Sequence, residues 1–319
     1  MTDHFSNGAR IKNLDGLTLK YSFGQKTGEA FNVTPEIVEF INTEPFVDLT
    51  NRTDLEPVFV TANSETHFKE SLDLIGSVQK FFPSSRILYF DWGLTENQTK
   101  ALKQMCQVEV RHFNISLFAE IAEFNVSRIR YQLLKPLAIA AALKENPEVV
   151  YMDASMRMKT SDLKRTEQLA KRNGGIAILT STDDSVYAMT HKGMYKYLPS
   201  DEEQLMKVSM LQSGGVLLYN TEFVFRNIVW WWCMCDIHVD CSASVRTLAI
   251  SKEHDQRKKY RGHRFDQSSL NVLLANTFNF NQAMYQNKAN IVFVRRYLKY
   301  NMYKIKQCPY QSNSIRIEE

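Results

Sequence analysis

Short unbroken apolar runs alternate with helical segments from Pro57 onward, and this alternation constrains the fold more than any other feature. The first run, residues 57–62, is rich in β-branched residues and is typical of a strand buried on both faces. Further strands are predicted at residues 86–91, 149–153, 175–180 and 215–219, and residues 108–110 begin another. Strands that alternate with helices of about 10–15 residues indicate a largely parallel sheet covered on both faces. We therefore predict a three-layer α/β/α sandwich, Rossmann-like, over residues 57–295.

The two flanking segments lack this alternation. Residues 1–56 are polar with short apolar patches, which predicts an irregular or partly helical lead-in. Residues 296–319 begin as a basic, aromatic tail, which predicts a final helix or an amphipathic surface element.

Composition and charge exclude several classes of protein. The chain has 319 residues with 44% hydrophobic and 23% charged residues, which excludes wholesale disorder. Its net charge of +4 is small for a dedicated nucleic-acid binder but suits a site for an anionic small molecule. No stretch approaches the roughly 18 consecutive apolar residues that a membrane span needs. The expected partners therefore include neither nucleic acid nor a membrane span in this chain.

The sequence leaves the compartment open. Residues 1–20 contain no apolar core of a signal peptide, which predicts either a cytoplasmic chain or a form whose anchor is missing. The Cys233, Cys235 and Cys241 group does not have zinc-ligand spacing, although His238 between them keeps a metal interpretation open. Buried thiols, or a Cys235–Cys241 disulfide in an oxidising compartment, are the alternatives. Glycosylation sequons at Asn32, Asn51, Asn97, Asn114 and Asn125 give faint support for a secretory lumen.

Three common nucleotide and hydrolase motifs are absent from the sequence. It has no GxGxxG after the first strand, no GxxxxGK[ST] and no GxSxG, which argues against dinucleotide oxidoreductases, P-loop enzymes and α/β-hydrolases. Ligands of open α/β sheets bind beyond the carboxyl ends of strands. The polar residues at those ends are therefore the first candidates: Thr61, Asn63, Asp91, Asp153 and Ser155.

Lys135 and Pro136 mark a candidate anion site. Pro136 suits the first turn of a helix, whose free N–H groups and positive dipole attract anions. Arg128, Arg130 and Lys135 add charge there, so a diphosphate site is one interpretation and a set of solvated cations is the other.

Further motifs, taken in order, resemble a known superfamily. A strand ending in an Asp-x-Asp-like triplet, then Ser213-Gly-Gly-Val-Leu-Leu-Tyr-Asn220, then Asp266-Gln-Ser-Ser-Leu-Asn271, is similar to GT-A glycosyltransferases, especially the retaining family that includes glycogenin and bacterial galactosyltransferases. Residues 57–62 and 67–71, with Lys135-Pro136, Tyr151–Ser155 and His263-x-x-Asp266-Gln267, resemble more closely an uncharacterised animal family, abundant in nematodes, that is a domain of unknown function placed near glycosyltransferases. The resemblance spans roughly residues 55–290.

The resemblance implies residues for the nucleotide part of a nucleotide-sugar donor. Thr61, Ala62 and Asn63 would border the nucleoside, and Arg130 and Lys135 would face the diphosphate. The donor implied is a UDP-sugar, and the acceptor a glycan or glycoconjugate. The resemblance also implies the Golgi or secretory lumen as the compartment.

The resemblance implies a second set of residues around the sugar. Ser213, Gly214 and Gly215 would line the sugar, while Asp266 and Gln267 would contact it near the reacting carbon. Negative charge grows on the departing nucleoside diphosphate, so a cation or a helix dipole must stabilise it. A carboxylate beside the acceptor hydroxyl can serve as the base if the reaction inverts, and inversion and retention both remain open.

The metal position departs from the family pattern. Asp153 would lie at the metal or sugar-phosphate position, with Ser155 where the retaining family has a second aspartate. The late His-x-x-Gly-x-x-Lys segment of that family is missing, because no histidine follows residue 271. Mn²⁺ or Mg²⁺ is therefore an open cofactor, with Asp153 as its ligand and His263 as a substitute ligand.

Three functions remain in competition. The first is transfer of a sugar from a nucleotide-sugar donor, with Asp153, Asp266 and Gln267 as catalytic candidates. The second is a glycosyltransferase-like binding module or partner subunit without turnover, which the Asp-Ala-Ser triplet favours. The third is another α/β class such as a nucleotidyltransferase. Trp230–Trp232 could include a sugar-stacking ring, but three adjacent residues cannot share one helix face, so we expect most of them in the core.

Overall fold

The computed structural model describes residues 10–12, 29–50, 56–112, 135–242, 262–295 and 302–308. Its strands are β1 (Arg10–Lys12), β2 (Ala30–Asn32), β3 (Val58–Asn63), β4 (Ile87–Asp91), β5 (Val108–His112), β6 (Glu148–Met152), β7 (Met156–Met158), β8 (Ile176–Ile178), β9 (Ser181–Ser185), β10 (Ser209–Leu211), β11 (Gly215–Tyr219) and β12 (Val292–Val294).

The helices of the same residues are α1 (Pro35–Ile41), α2 (Phe68–Phe81), α3 (Glu96–Lys103), α4 (Lys135–Glu145), α5 (Lys164–Arg172), α6 (Glu202–Leu205), α7 (Glu222–Val224), α8 (Trp230–Ile237), α9 (Val239–Ser242) and α10 (Asp266–Thr277). Short 3₁₀ turns cover Glu65–His67, Tyr187–Met189, Lys192–Lys196 and Gln282–Met284, and a π-helical turn covers Phe225–Val229.

Six strands form the central sheet in the order β5-β4-β3-β6-β11-β8. Strands β5, β4, β3 and β6 are parallel neighbours, while β11 runs antiparallel to both β6 and β8. The predicted, mostly parallel sheet is therefore confirmed, and β11 is its inverted strand. Between β8 and β11 the chain turns back through the antiparallel pair β9 and β10 instead of making a helical crossover.

The connections create a switch point between β3 and β6. From β3 the chain moves outward to β4 and β5 on one side, and then returns to β6 on the other side of β3. In open α/β sheets, the crevice beyond the carboxyl ends of such a pair is where ligands bind. Topology alone thus draws attention to the residues that follow β3 and β6.

Helices cover both faces of the sheet, as the three-layer prediction requires. Alternate residues of one strand enter different clusters: Val149 and Tyr151 of β6 pack in one, while Val150 and Met152 pack in the other. The first cluster includes α4, α8 and α10, and the second includes α2 and Ala170 of α5. Burial on both faces explains why five strands of the sheet, all except the half-buried edge strand β5, are nearly continuous apolar runs in the sequence.

The tryptophan triplet lies inside the first cluster. Helices α7 and α8 are joined by the π-helical turn, and Trp230, Trp231 and Trp232 are all buried. Because Trp232 donates its indole N–H to the backbone oxygen of Asp266 at 3.0 Å, it also ties α8 to α10. All three rings are core residues here, which leaves none on an exposed sugar-stacking surface.

Both flanks contact the sandwich. Helix α1, in the predicted lead-in, buries Ile37 and Ile41 in the first cluster. Residues 302–308 of the tail contain no helix and run along α2, where Asp73 Oδ1 accepts a hydrogen bond from the backbone N–H of Met302 at 2.8 Å. A disulfide between Cys106 and Cys308 closes this contact.

Candidate functional site

Asp153 stands at the switch point, directly after β6. Its backbone N–H donates to the oxygen of Gly214 at 2.7 Å, which joins it to the start of β11. Its carboxylate accepts a hydrogen bond from the hydroxyl of Tyr151 at 3.0 Å, because residues two apart on a strand project from the same face. The Asp153 side chain is 35% exposed, so it is open to a ligand.

Lys135, the first residue of α4, lies between two carboxylates. Its ammonium is 2.7 Å from Asp266 Oδ2 and 3.2 Å from Asp153 Oδ1, and it donates to Ser213 Oγ at 3.0 Å. Ser213 in turn donates to Asp266 Oδ2 at 2.8 Å. We call Lys135, Asp153, Ser213 and Asp266 the carboxylate–lysine cluster. Four sequence candidates that are up to 131 residues apart are thereby brought together.

The cluster is almost closed to solvent except at Asp153. The side chains of Lys135 and Asp266 are 6% and 3% exposed. Burial disfavours the charged form of Lys135, but the adjacent Asp153 and Asp266 carboxylates raise its pKa above the ordinary value, so the ammonium stays protonated. Burial raises the pKa of Asp266, and the Lys135 ammonium opposes that rise. The ion pairs thus stabilise the charged forms of Lys135 and Asp266 although both side chains are buried.

Asp266 begins α10 in an unusual local backbone. The preceding residue, Phe265, has a φ of +48°, which is uncommon for an aromatic residue. Strained backbone of this kind concentrates at functional sites, where the surrounding structure holds it. Strain at the residue before a buried, ion-paired carboxylate therefore agrees with a functional role for Asp266.

A further buried carboxyl lies behind Asp266. Asp236 of α8 is fully buried and accepts a hydrogen bond from Ser269 Oγ at 2.9 Å. Burial raises its pKa well above the ordinary value, and the nearby Asp266 raises it further. Burial therefore favours the neutral form of Asp236, and the ion pairs of the cluster are those that Lys135 makes with Asp153 and Asp266.

Gly214 is a glycine because the carboxylate of Asp153 needs its space. A Cβ on Gly214 would lie 2.5 Å from Asp153 Oδ2, far inside van der Waals contact. Gly215 opens β11 opposite Met152, and a Cβ there would be 3.2 Å from Leu179 Cβ. The absence of side chains at Gly214 and Gly215 thus leaves room for the Asp153 carboxylate and for the packing of Leu179 against β11. A contact of these glycines with a sugar stays a prediction.

The predicted nucleoside residues lie at the end of β3, next to β6 in the sheet. Thr61, Ala62 and Asn63 are all buried, and Asn63 donates its side-chain amide to Thr61 Oγ1 at 3.0 Å. Ser155 is buried two residues after Asp153, and Gln267 is partly buried at the start of α10. Arg130 lies outside the described residues. The roles of these residues toward a donor stay predictions.

His263 uses both of its ring nitrogens on the backbone. Nδ1 accepts a hydrogen bond from the N–H of His191 at 3.1 Å, and Nε2 contacts the oxygen of Ser242 at 2.6 Å. Burial lowers the pKa of His263 to about 4, so the ring is neutral. No ring nitrogen is left to take the metal-ligand role that the sequence analysis considered.

The residues present do not fit a divalent cation. Mg²⁺ and Ca²⁺ need several oxygen ligands at about 2.0–2.6 Å, whereas Asp153 and Asp266 already share the ammonium of Lys135. Within the described ranges, no three His, Cys, Asp or Glu side chains are grouped to hold a metal. The carboxylate–lysine cluster is therefore organised around an ammonium ion.

Arg157 is a site-supporting residue that the sequence analysis missed. It is 1% exposed and donates to the backbone oxygens of Ala154 and Met156, and to that of Glu70 in α2. These bonds fix the turn that follows Asp153. A charged residue between two methionines of a buried strand, Met156-Arg-Met158, is the sequence signal that could have identified it.

The cysteines form two disulfides. Cys235 pairs with Cys241 at a Cα–Cα distance of 5.1 Å, the pair that the sequence analysis preferred for an oxidising compartment. Cys106 pairs with Cys308 across 202 residues, a pair that spacing could not reveal. Cys233 is a free, buried thiol. The thiols that could have formed a metal site with His238 are thus accounted for.

Two described cavities lie away from the cluster. One, of about 160 Å³, is lined by residues at the β4–β5 edge that include Phe90 and Glu145. The other, of about 880 Å³, lies between Lys80 of α2 and the tail segment around Tyr303. Neither is lined by a residue of the cluster, so topology and charge, and not cavity volume, single the cluster out.

The fold and site define an α/β protein with a charged cluster at the carboxyl edge of a mostly parallel sheet. Residues 20–140 match the sequence model of a family described as "Protein of unknown function (DUF1647)", which confirms the predicted resemblance to a family of unknown function. This match covers less than half of the chain. No curated protein matches the sequence.

Solved structures similar to this chain include several glycosyltransferases. The galactosyltransferase LgtC, in complex with donor and acceptor sugar analogues, is 17% identical with a TM-score of 0.38, covering 67% of this chain and 69% of that chain. Mouse xyloside xylosyltransferase 1 is 11% identical with a TM-score of 0.39, covering 73% and 84%. Core-mannan synthase A from Aspergillus fumigatus, in its Mn/GDP form, is 9% identical with a TM-score of 0.40, covering 86% and 83%. Likenesses below a TM-score of 0.5 do not establish an activity.

No helix among the described residues is both long and apolar enough to cross a membrane.

Proposed function

We propose that the chain is a glycosyltransferase, which moves a sugar from a nucleotide-sugar donor to a glycan, protein or lipid acceptor. The carboxylate–lysine cluster carries this proposal, because it places ion-paired Asp153, Lys135 and Asp266 where an open α/β sheet binds its ligand. Carboxylates accept hydrogen bonds from sugar hydroxyls, and an ammonium donates to sugar oxygens. The chemistry of the cluster therefore suits a polyhydroxylated ligand.

The proposal gives separate roles to Asp153, to its two ion-paired neighbours and to Gln267. Asp153, the most exposed member, contacts the donor or activates the acceptor hydroxyl as a base. The buried Lys135, itself paired with Asp266, holds the Asp153 carboxylate in place. Gln267, next to Asp266 in the chain, contacts the sugar. The amino terminus of α4 supplies the positive dipole that a departing nucleoside diphosphate requires.

A second candidate is a binding module or partner subunit without turnover. The specific observation in its favour is that Lys135 already pairs with both carboxylates, with Ser155 in place of a second aspartate in the triplet. Such a module would bind the nucleotide-sugar at the same residues but would not release the nucleoside diphosphate. Turnover therefore distinguishes the two candidates.

The disulfides bear on the compartment that we propose. Disulfides persist in oxidising compartments and are rare in the cytosol. Two disulfides, Cys106–Cys308 and Cys235–Cys241, support folding in a secretory lumen, which is where glycan acceptors would be met.

A nucleotide-binding screen tests the proposal. Thermal unfolding of the wild type is measured with UDP, GDP and CMP and with a sugar nucleotide of each, and the same screen is run on Asp153→Asn. We expect one nucleoside diphosphate to raise the melting temperature of the wild type by mass action, with UDP first in order, and the corresponding sugar nucleotide to lose its stabilising effect in Asp153→Asn.

A matched control is Asp201→Asn, the same substitution at a helix N-cap outside the cluster. Asp201 accepts hydrogen bonds from the backbone N–H groups of Glu203 and Gln204, and asparagine caps helices equally well. This variant should bind nucleotide as the wild type does. Failure of every nucleotide to stabilise the wild type would reject the proposed function.

A further inference from the structure

The ammonium of Lys135 has the coordination of a bound cation. Its N–H groups face oxygens of three side chains: Asp266 Oδ2 at 2.7 Å, Ser213 Oγ at 3.0 Å, and the Asp153 carboxylate, whose Oδ1 lies at 3.2 Å and whose Oδ2 accepts a hydrogen bond at 3.4 Å. The stem of Lys135 is buried at the start of α4, so the ammonium is held from behind by packing. The ion is part of the fold and not a mobile surface charge.

A divalent ion and this ammonium cannot share the two carboxylates. Metal–oxygen distances of about 2.0–2.6 Å would bring the ion into the space between Asp153 and Asp266 where the Lys135 ammonium lies. Displacing the ammonium would leave a buried, unpaired charge, which is costly in a protein interior. The cluster therefore selects against a metal by both space and charge.

Nearby side chains do not supply a replacement ligand set. Ser155 offers a neutral hydroxyl, and both ring nitrogens of His263 are committed to backbone groups. Tyr151 adds a hydroxyl that donates to Asp153 and so competes for the same carboxylate. Among the residues that the structure describes, no three His, Cys, Asp or Glu side chains are grouped so that they could hold a metal ion.

We infer that Lys135 takes the place of the divalent cation in this site, so that the protein binds its nucleotide-sugar without a metal. This inference rests on the proposed function for its ligand, but its first test does not. The inference assigns Lys135 the role of a positioning residue. Its ammonium holds the Asp153 and Asp266 carboxylates together, as a metal ion bound to both would do. The inference also means that binding should resist chelators.

The first test uses Mn²⁺ alone as the probe. Thermal unfolding and calorimetric titration are run on the wild type, on Lys135→Ala, on Asp153→Asn, and on Lys100→Ala as a matched control at an exposed lysine. We expect no Mn²⁺ binding by the wild type or Lys100→Ala, and a stabilising Mn²⁺ site in Lys135→Ala, where the vacated space lies between two carboxylates. If the alanine variant does not fold, Lys135→Ser, which also empties the ammonium position, takes its place.

Two results would overturn the inference. One is stabilisation of the wild type by Mn²⁺ that disappears in Asp153→Asn. The other is a folded Lys135 variant that gains no affinity for Mn²⁺.

The second test adds the nucleotide. If the wild type binds a nucleoside diphosphate, its dissociation constant should change less than twofold between EDTA and Mn²⁺, and a tenfold loss in EDTA would contradict the inference. If no nucleotide binds, the proposed function fails, whereas the Mn²⁺ result still decides whether Lys135 replaces a metal.

Discussion

Removing the Lys135 ammonium should destabilise the fold through Asp266. Asp266 is 3% exposed and has Lys135 as its ion-pair partner at 2.7 Å. Deleting one member of a buried ion pair leaves an uncompensated charge, which costs about 3–5 kcal/mol. We therefore expect Lys135→Met to lower the free energy of unfolding by about that amount at pH 7, since methionine preserves most of the buried stem.

The pH dependence of that loss identifies its cause. Burial already raises the pKa of Asp266, and removing Lys135 takes away the interaction that lowers it. Because a carboxyl with a raised pKa in the folded state favours folding when it is protonated, the loss should shrink as pH falls toward the ordinary carboxyl range and grow as pH rises. Asp266→Asn in the Lys135→Met background should recover most of the loss by removing the buried charge.

Urea unfolding of the disulfide-intact wild type, both single variants and the double variant forms the assay, at pH 7 and pH 5. A coupling energy near zero between Lys135→Met and Asp266→Asn would refute the ion-pair account. So would a loss in Lys135→Met below about 1 kcal/mol, which is typical of exposed pairs.

Three further predictions follow from neighbouring features. Gly214→Ala should lower the free energy of unfolding in urea by about 1 kcal/mol and should weaken nucleotide binding more strongly, because a Cβ only 2.5 Å from Asp153 Oδ2 would force that carboxylate to move. An unchanged nucleotide affinity would contradict this prediction. Burial lowers the pKa of His263 to about 4, below the ordinary 6.5, so the unfolded chain takes up a proton between these values that the folded chain does not. Stability should therefore fall as pH drops through that window, by up to about 1.4 kcal/mol per pH unit, and His263→Gln should flatten the slope. Cys106→Ser with Cys308→Ser should lower stability by up to about 5 kcal/mol in the chain-entropy description of a 202-residue loop, whereas an unchanged urea midpoint would show that the tail contact does not depend on the disulfide.

Strands β3, β4, β6, β8 and β11 were predictable, because a strand that is buried on both faces is an almost unbroken apolar run in the sequence. Strand β11 begins at Gly215 and ends at Tyr219, the bounds of the run in the sequence. Its direction was not predictable, because the β9–β10 pair that reverses the chain consists of short, polar or mixed segments such as Ser181–Ser185. The local sequence pattern of a strand indicates whether it is buried, whereas its direction depends on the path of the segment that connects it to the preceding strand.

The site was predictable in membership but not in pairing. Asp153 follows an apolar strand and Lys135 and Asp266 begin helices, and these are positions that a parallel sheet gathers at one edge. The pairing of Lys135 with both acids depends on side-chain packing between distant segments, and its predicted role toward a diphosphate stays a prediction. Arg157 and Asp236 were missed because a buried charge is recognisable only when its neighbours are known to be core residues.

Release of nucleoside diphosphate from a sugar nucleotide tests the central claim most directly. The wild type, Asp153→Asn and the Asp201→Asn control are incubated with a panel of UDP- and GDP-sugars, each with a mixture of glycan acceptors, and the freed nucleotide is quantified. We expect release by the wild type and the control from one donor, and a decrease of at least about a hundredfold in Asp153→Asn, the size of effect that loss of a transition-state contact produces. Equal release by the wild type and Asp153→Asn would contradict the account, because the exposed carboxylate of the carboxylate–lysine cluster would then take no part in the reaction.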